Sequence, residues 1–214
     1  MPQIYADEQV AIELLADLGS FANNAYILRP AGGGAATVVD VPEGSEAVVA
    51  ALGDTPVERI VVTHSHFDHW RGFDTVRGHT DAPVFAGAEE TNLEPSRAIR
   101  PLADGASFAV GAATVEVIHT PGHTPGSICL RLGGAVLTGD TLFPGGPGRS
   151  GSPETLRQEI ESITTRLYAL PEETLVLPGH GPSTTIGASR REYEIFAAKE
   201  HAPDLQGDVL WLES

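Results

Sequence analysis

With a single cysteine, Cys129, this 214-residue chain has no partner for an internal disulfide, so its stability must come from a packed core. Positive charge is also scarce. Thirteen Lys and Arg stand against 29 Asp and Glu, a formal charge of −16. Such a surface repels phosphate backbones and anionic bilayers, which argues against nucleic-acid and membrane partners. No Pro-, Gly- or Ser-rich run is long enough for a linker and no internal repeat is visible, so one domain over residues 1–214 is expected. The opening MPQIYADEQV lacks the basic start and apolar stretch of a secretory signal, and the expected location is the cytoplasm. What is present is ordinary for a globular protein: 41% hydrophobic and 20% charged residues. Nothing in it bears on oligomeric state.

Apolar runs bounded by turn residues recur at 37–41, 59–63, 83–86, 114–119, 127–132, 135–138 and 174–177, and read as strands. Gly133-Gly134 between two of them signals a hairpin, with a type I′ turn expected because both its central positions need φ > 0. Ser45 can cap a helix that stops at Gly53. Ser152-Pro153 opens a longer one as N-cap and first residue, with Leu156, Ile160, Ile163 and Leu167 as one apolar stripe. A last helix is expected over 188–199, and residues 10–18 fit a helix and a buried strand about equally. Strands interspersed with helices favour an α/β sandwich over an all-β barrel.

The polar clusters follow the strands. After the run at 59–63 comes His64-Ser65-His66-Phe67-Asp68-His69, three imidazoles and a carboxylate within six positions. In extended backbone, residues two apart share a face, so His64 and His66 could hold one metal. A turn, which Trp70-Arg71-Gly72 permits, would aim Asp68 and His69 at a second. An isolated histidine pair is usually packing or surface, but four candidate ligands this dense are hard to explain that way. His123 lies in a Pro/Gly-fixed loop, Thr120 to Gly126, and His180 in Pro178-Gly179-His180-Gly181-Pro182. Asp140 follows Gly139 at a strand end. His79, His119 and His201 match no such pattern and read as structural or exposed; Cys129 reads as a small core residue.

Together these residues resemble the metallo-β-lactamase superfamily, whose five motifs stand in order: Asp40, then His64-x-His66-x-Asp68-His69, then His123, Asp140 and His180. The resemblance implies a four-layer αβ/βα sandwich with a two-metal site at the sheet edge. It implies His64, His66 and His123 on one metal, Asp68, His69 and His180 on the other, Asp140 bridging, and Asp40 supporting the site without binding metal. The β-lactamases of the commonest subclass carry Arg and Cys where this chain has His69 and Asp140.

TPGHTPGS (120–127) and GDTLF (139–143) are similar to the glyoxalase II branch, which hydrolyses thioesters of glutathione. Gly146-Pro147-Gly148-Arg149 resembles that branch's Gly-Cys-Gly-Arg/Lys motif, so Arg149 is the candidate contact for a carboxylate on the substrate's thiol. Only 34 residues follow His180, so the chain resembles a short, single-domain form, and glutathione as the thiol does not follow. The implied chemistry is thioester hydrolysis by a hydroxide shared between two divalent metals, with Asp68 orienting the water or moving its proton. Zinc suits these ligands best, and the same set accepts iron or manganese. The alternatives are a persulfide dioxygenase with one iron, whose relatives carry Gly-His-Asp-Tyr where this chain has Gly179-His180-Gly181-Pro182, and a lactone hydrolase.

Overall fold

The computed structural model describes residues 3–214. A seven-stranded sheet runs in sequence order through β1 (Gln3–Ala6), β2 (Val10–Leu18), β3 (Asn23–Pro30), β4 (Ala36–Val39), β5 (Val57–Val62), β6 (Val84–Gly87) and β7 (Arg100–Leu102). The chain then forms β8 (Ser107–Val110), β9 (Ala113–His119), β10 (Ile128–Leu132) and β11 (Ala135–Gly139), and a short ribbon of β12 (Leu142–Phe143) with β13 (Gly146–Pro147). With β14 (Leu175–Pro178) and β15 (Thr184–Thr185), a second sheet has the order β15-β14-β11-β10-β9-β8. Helices α1 (Glu46–Leu52) and α2 (Phe73–Arg77) cover the first sheet; α3 (Pro153–Ser162) and α4 (Ile186–Ala197) cover the second.

Strand alternation sorts the core into three layers. Val39 and Val61 point inward against Val115, Val117 and Leu137 of the facing sheet. Their neighbours Val38, Ile60 and Val62 point outward onto Val48, Leu52, Phe73 and Val76 of α1 and α2. On the far side Ile118, Val136 and Val176 meet Leu156, Ile163, Phe196 and Trp211. This is the expected four-layer αβ/βα sandwich.

Residues 10–18 are a strand, because Val10 and Ile12 complete the inner core beside Leu28 of β3. The Gly133-Gly134 hairpin forms, pairing Leu132 with Ala135, but only Gly133 has positive φ (54°), the pattern of a type II′ turn rather than I′. Ser152 caps α3 in a reciprocal capping box with Thr155. The stripe does not run along one regular helix: after Ser162 the backbone widens into a π turn over Ile163–Leu167, with Tyr168 N–H reaching Ile163 O at 2.9 Å. Ile163 and Leu167 are buried all the same. The last helix starts two residues earlier than expected, because Thr185 caps it through Ala188 N–H. Cys129 is buried in β10. Among the described residues, no helix is long and apolar enough to cross a membrane.

Two parallel pairs, β4 with β5 and β11 with β14, send their C-terminal ends to one edge. There the sheets are stitched together by Asn24 N–H to Gly179 O (2.7 Å) and Ile128 N–H to Thr63 O (3.0 Å). The polar loops of the sequence all start at that edge.

Candidate metal centre

Asp40 ends β4 in the left-handed region, φ 61°, which aspartate tolerates better than most residues. Its carboxylate accepts from Thr63 N–H (2.8 Å), Thr63 Oγ (2.9 Å) and His69 Nδ1 (2.8 Å). The last bond places the His69 proton on Nδ1 and leaves Nε2 with its lone pair facing the site. Further along, His64 and His66 precede a 3₁₀ turn over Phe67–His69. The chain thus turns earlier than Trp70, and that turn brings the His69 ring to 4.2 Å from that of His64 while Asp68 and His69 group with His180.

The loops from the other sheet complete the cluster. His123 Nδ1 donates to Arg149 O (3.1 Å) and His180 Nδ1 to Phe21 O (2.9 Å), so both rings offer Nε2 inward. His66 Nδ1 lies 2.8 Å from His123 Nε2. Three groups of potential ligand atoms result, each within 4.8 Å of one another: His64, His66 and His123; His64, His69 and Asp140; Asp68, His69 and His180. Asp140 sits at their centre. Its oxygens are 3.3 Å from His69 Nε2, 3.4 Å from His180 Nε2, 3.6 Å from His123 Nε2 and 4.0 Å from His64 Nε2.

These residues fit metal ions on three counts. His64 Nε2, His69 Nε2 and Asp140 Oδ1 are buried without a hydrogen-bond partner, which is costly unless a cation takes their lone pairs. The donor set of imidazoles and carboxylates is one that divalent transition metals accept. The surroundings also permit close approach: a Cβ on Gly179 would lie 2.3 Å from Asp140 Oδ1, so only glycine leaves the carboxylate its place. The His/Asp clusters therefore suit a binuclear site.

Electrostatics follow from burial and from the two carboxylates. Burial pushes His64 well below the usual imidazole range, and lowers His123 to about 4 despite Asp140. Burial also opposes a charged His69, but in the metal-free protein Asp140 and Asp40 outweigh it and hold that ring well above its ordinary value, so a cation at Nε2 would displace a proton there. His180 is raised in the same way, to about 10, by its hydrogen bonds to Asp140 and Asp68 against the effect of burial. Asp68 is lowered to about 2: burial would raise it, and His180, His69 and Asn23 prevail.

A cleft of about 320 Å³ opens from His123, Asp140 and His180, walled by Phe143, Pro147 and Leu210. Arg149 stands at its mouth, 75% exposed, with Nη1 3.4 Å from Asp208. His119 lies apart, its Nε2 bonded to Pro125 O (2.8 Å), and His201 stacks on Phe196.

Three contributors went unread in the sequence. Asn23 Nδ2 donates to Asp68 Oδ2 (2.8 Å). Glu90 accepts from Ser65 N–H and Thr124 Oγ, tying the two histidine loops together. Glu159 lies under the His123 loop and accepts from Gly148 N–H (3.1 Å). Each acts across at least eleven residues of chain, and none belongs to a motif.

Known proteins share this architecture. A hydroxyacylglutathione hydrolase of Cereibacter sphaeroides is 36% identical over 179 residues, covering 81% of this chain and 66% of that enzyme. The crystal structure of ETHE1 from Myxococcus xanthus matches with TM-score 0.71 and 29% identity, over 88% of this chain and 85% of that one. The protein TTHA1623, solved in a di-iron-bound form, matches with TM-score 0.69 and 30% identity, over 84% and 97%. Residues 18–180 match the family described as the metallo-beta-lactamase superfamily, and the chain belongs to it.

Proposed function

We propose that this chain is a hydrolase with two divalent metal ions and that its substrate is a small-molecule thioester. The position of Asp140 carries the reading: one carboxylate lies within 4.0 Å of four imidazoles, its Oδ2 beside His64, His123 and His180 and its Oδ1 beside His69. In this reading His64, His66 and His123 hold one ion, Asp68, His69 and His180 the other, and Asp140 is shared. Zinc is the favoured ion, and iron and manganese suit the same ligands.

Bound there, the ions would supply Lewis acidity, bringing a water's pKa towards roughly 7 and polarising a carbonyl. The chain's own residues set the geometry. Asp40 holds His69 in one tautomer, and the Arg149 and Phe21 carbonyls do the same for His123 and His180. Asn23 restrains Asp68, whose carboxylate would orient the attacking water or relay its proton. Phe143, Pro147 and Leu210 give the open cleft an apolar wall against which a substrate could rest. A thioester suits a site with no dedicated acid, because a thiolate leaves without being protonated first. The hydroxyacylglutathione hydrolase of Cereibacter sphaeroides supports the same choice.

Metal-quantified protein tested on glutathione and uncharged thioesters, lactones and persulfides, with oxygen uptake recorded, decides the matter. The expected result is two divalent ions per chain and thioester turnover that a chelator abolishes. A single iron with oxygen consumption, or turnover of lactones alone, overturns the proposal.

A further inference from the structure

A carboxylic acid lies buried beneath the metal centre in a position where helix α3 would ordinarily present an apolar side chain. Glu159 is 0% exposed, on the face of α3 that packs against the second sheet. Its Oε1 accepts from Gly148 N–H at 3.1 Å, and its Oε2 is buried without a partner. Burial raises its pKa to about 9, against the Gly148 N–H and with help from the charge of Asp140. A buried carboxyl with so few partners costs stability, so it calls for a compensating role.

We propose that Glu159 is a positioning residue for the metal centre, acting on His123 through the Gly148–Arg149 segment. The inference rests on the two-metal reading and not on the thioester. The path is short. Glu159 holds Gly148 N–H, the carbonyl of the following residue, Arg149 O, accepts from His123 Nδ1 at 3.1 Å, and His123 Nε2 faces the His/Asp cluster. There is little slack along it: a Cβ on Gly148 would lie 2.8 Å from His123 Nδ1, so this strand of backbone already touches the ring. The other arm of the His123 loop rests on the same helix. Gly122 packs on the Glu159 backbone so closely that a Cβ there would come within 2.4 Å of Glu159 Cα, and Ser162 Oγ donates to Pro121 O at 2.7 Å. Helix α3 thus grips both segments that orient His123, and Glu159 supplies the polar contact of one grip. Only an acceptor of the right length is needed, so glutamine can replace it and an apolar residue of similar size cannot.

The test compares Glu159→Gln, Glu159→Met and the unsubstituted protein by zinc and cobalt titration, with circular dichroism to establish folding. Glu159→Gln should bind both ions as the unsubstituted protein does. Glu159→Met should weaken one of the two equivalents by about tenfold, the lower end of the range for losing a direct partner of a ligating histidine, because Glu159 acts through the backbone that carries that partner, and leave the other unchanged. Nitrogen NMR of metal-free protein reads His123 independently of any ion: the Nδ1–H tautomer should dominate in the unsubstituted and Gln proteins and lose that preference in the Met variant. If Glu159→Met fails to fold, Glu159→Asp, an acceptor with too short a reach, is read in its place with the same expectation. Normal two-ion binding and tautomer in the Met or Asp variant overturns the role, as does equal loss in Glu159→Gln. Absence of metal binding by the unsubstituted protein overturns the two-metal reading instead, and the tautomer measurement still decides for or against Glu159.

Discussion

At the scale of single residues, the site depends most on Asp140, whose carboxylate adjoins His64, His69, His123 and His180. Asp140→Ala should remove more activity than the loss of any single histidine among His64, His123 and His180, and should lower occupancy of both ions. Metal analysis together with rates on one thioester checks this; retained metal with an unchanged rate would refute the shared position. Arg149 has a weaker hold on function than its motif suggests. Its guanidinium is 75% exposed and already faces Asp208 at 3.4 Å, so its attraction for a substrate carboxylate is screened by solvent and partly cancelled. Arg149→Ala should raise KM for a carboxylate-bearing thioester about twofold to fivefold and spare an uncharged one. Asp208→Asn should move the same KM downward. Equal effects of Arg149→Ala on both substrates would remove it from recognition.

At the scale of elements, α3 links stability to pH. Glu159 has a folded pKa of about 9 against an ordinary value of 4.5, so between those values the native state binds a proton that the unfolded chain has released. Stability that is whole below the unfolded pKa is therefore lost as pH rises through this window, by about 3 kcal/mol at pH 7. Glu159→Gln removes that dependence. Denaturant titrations from pH 5 to 8 should find the variant increasingly more stable than the parent as pH rises, and parallel curves would show that Glu159 titrates normally. The N-terminus of the same helix was legible beforehand because Ser152-Pro153 is a local signal, decided by residues in contact along the chain. The π turn after Ser162 was not. It follows from seating Ile163 and Leu167 in the outer core, a constraint set by strands far away in sequence.

At the scale of the whole molecule, the two sheets meet at an edge held together by few backbone bonds, and the candidate ligand histidines come from both sides of it. Metal ions there would cross-link the sheets, so chelation should lower Tm and zinc should restore it in a concentration-dependent way, since a ligand bound only by the folded state stabilises it. Unchanged thermal melting on complete metal removal would contradict a site shared between the sheets. The sequence by itself determined the candidate ligand types and most inner strands. Imidazole and carboxylate are chemically distinctive, and alternating or continuous apolar runs are dictated by burial on a pleated surface. The short edge strands β1, β7 and β8 bury little and left no such trace. Only the tertiary structure decided that Asn23 holds Asp68 and that Glu159 supports His123 from beneath. Those are meetings of residues between 11 and 45 positions apart, brought about by sheet packing, and local sequence patterns carry no record of them.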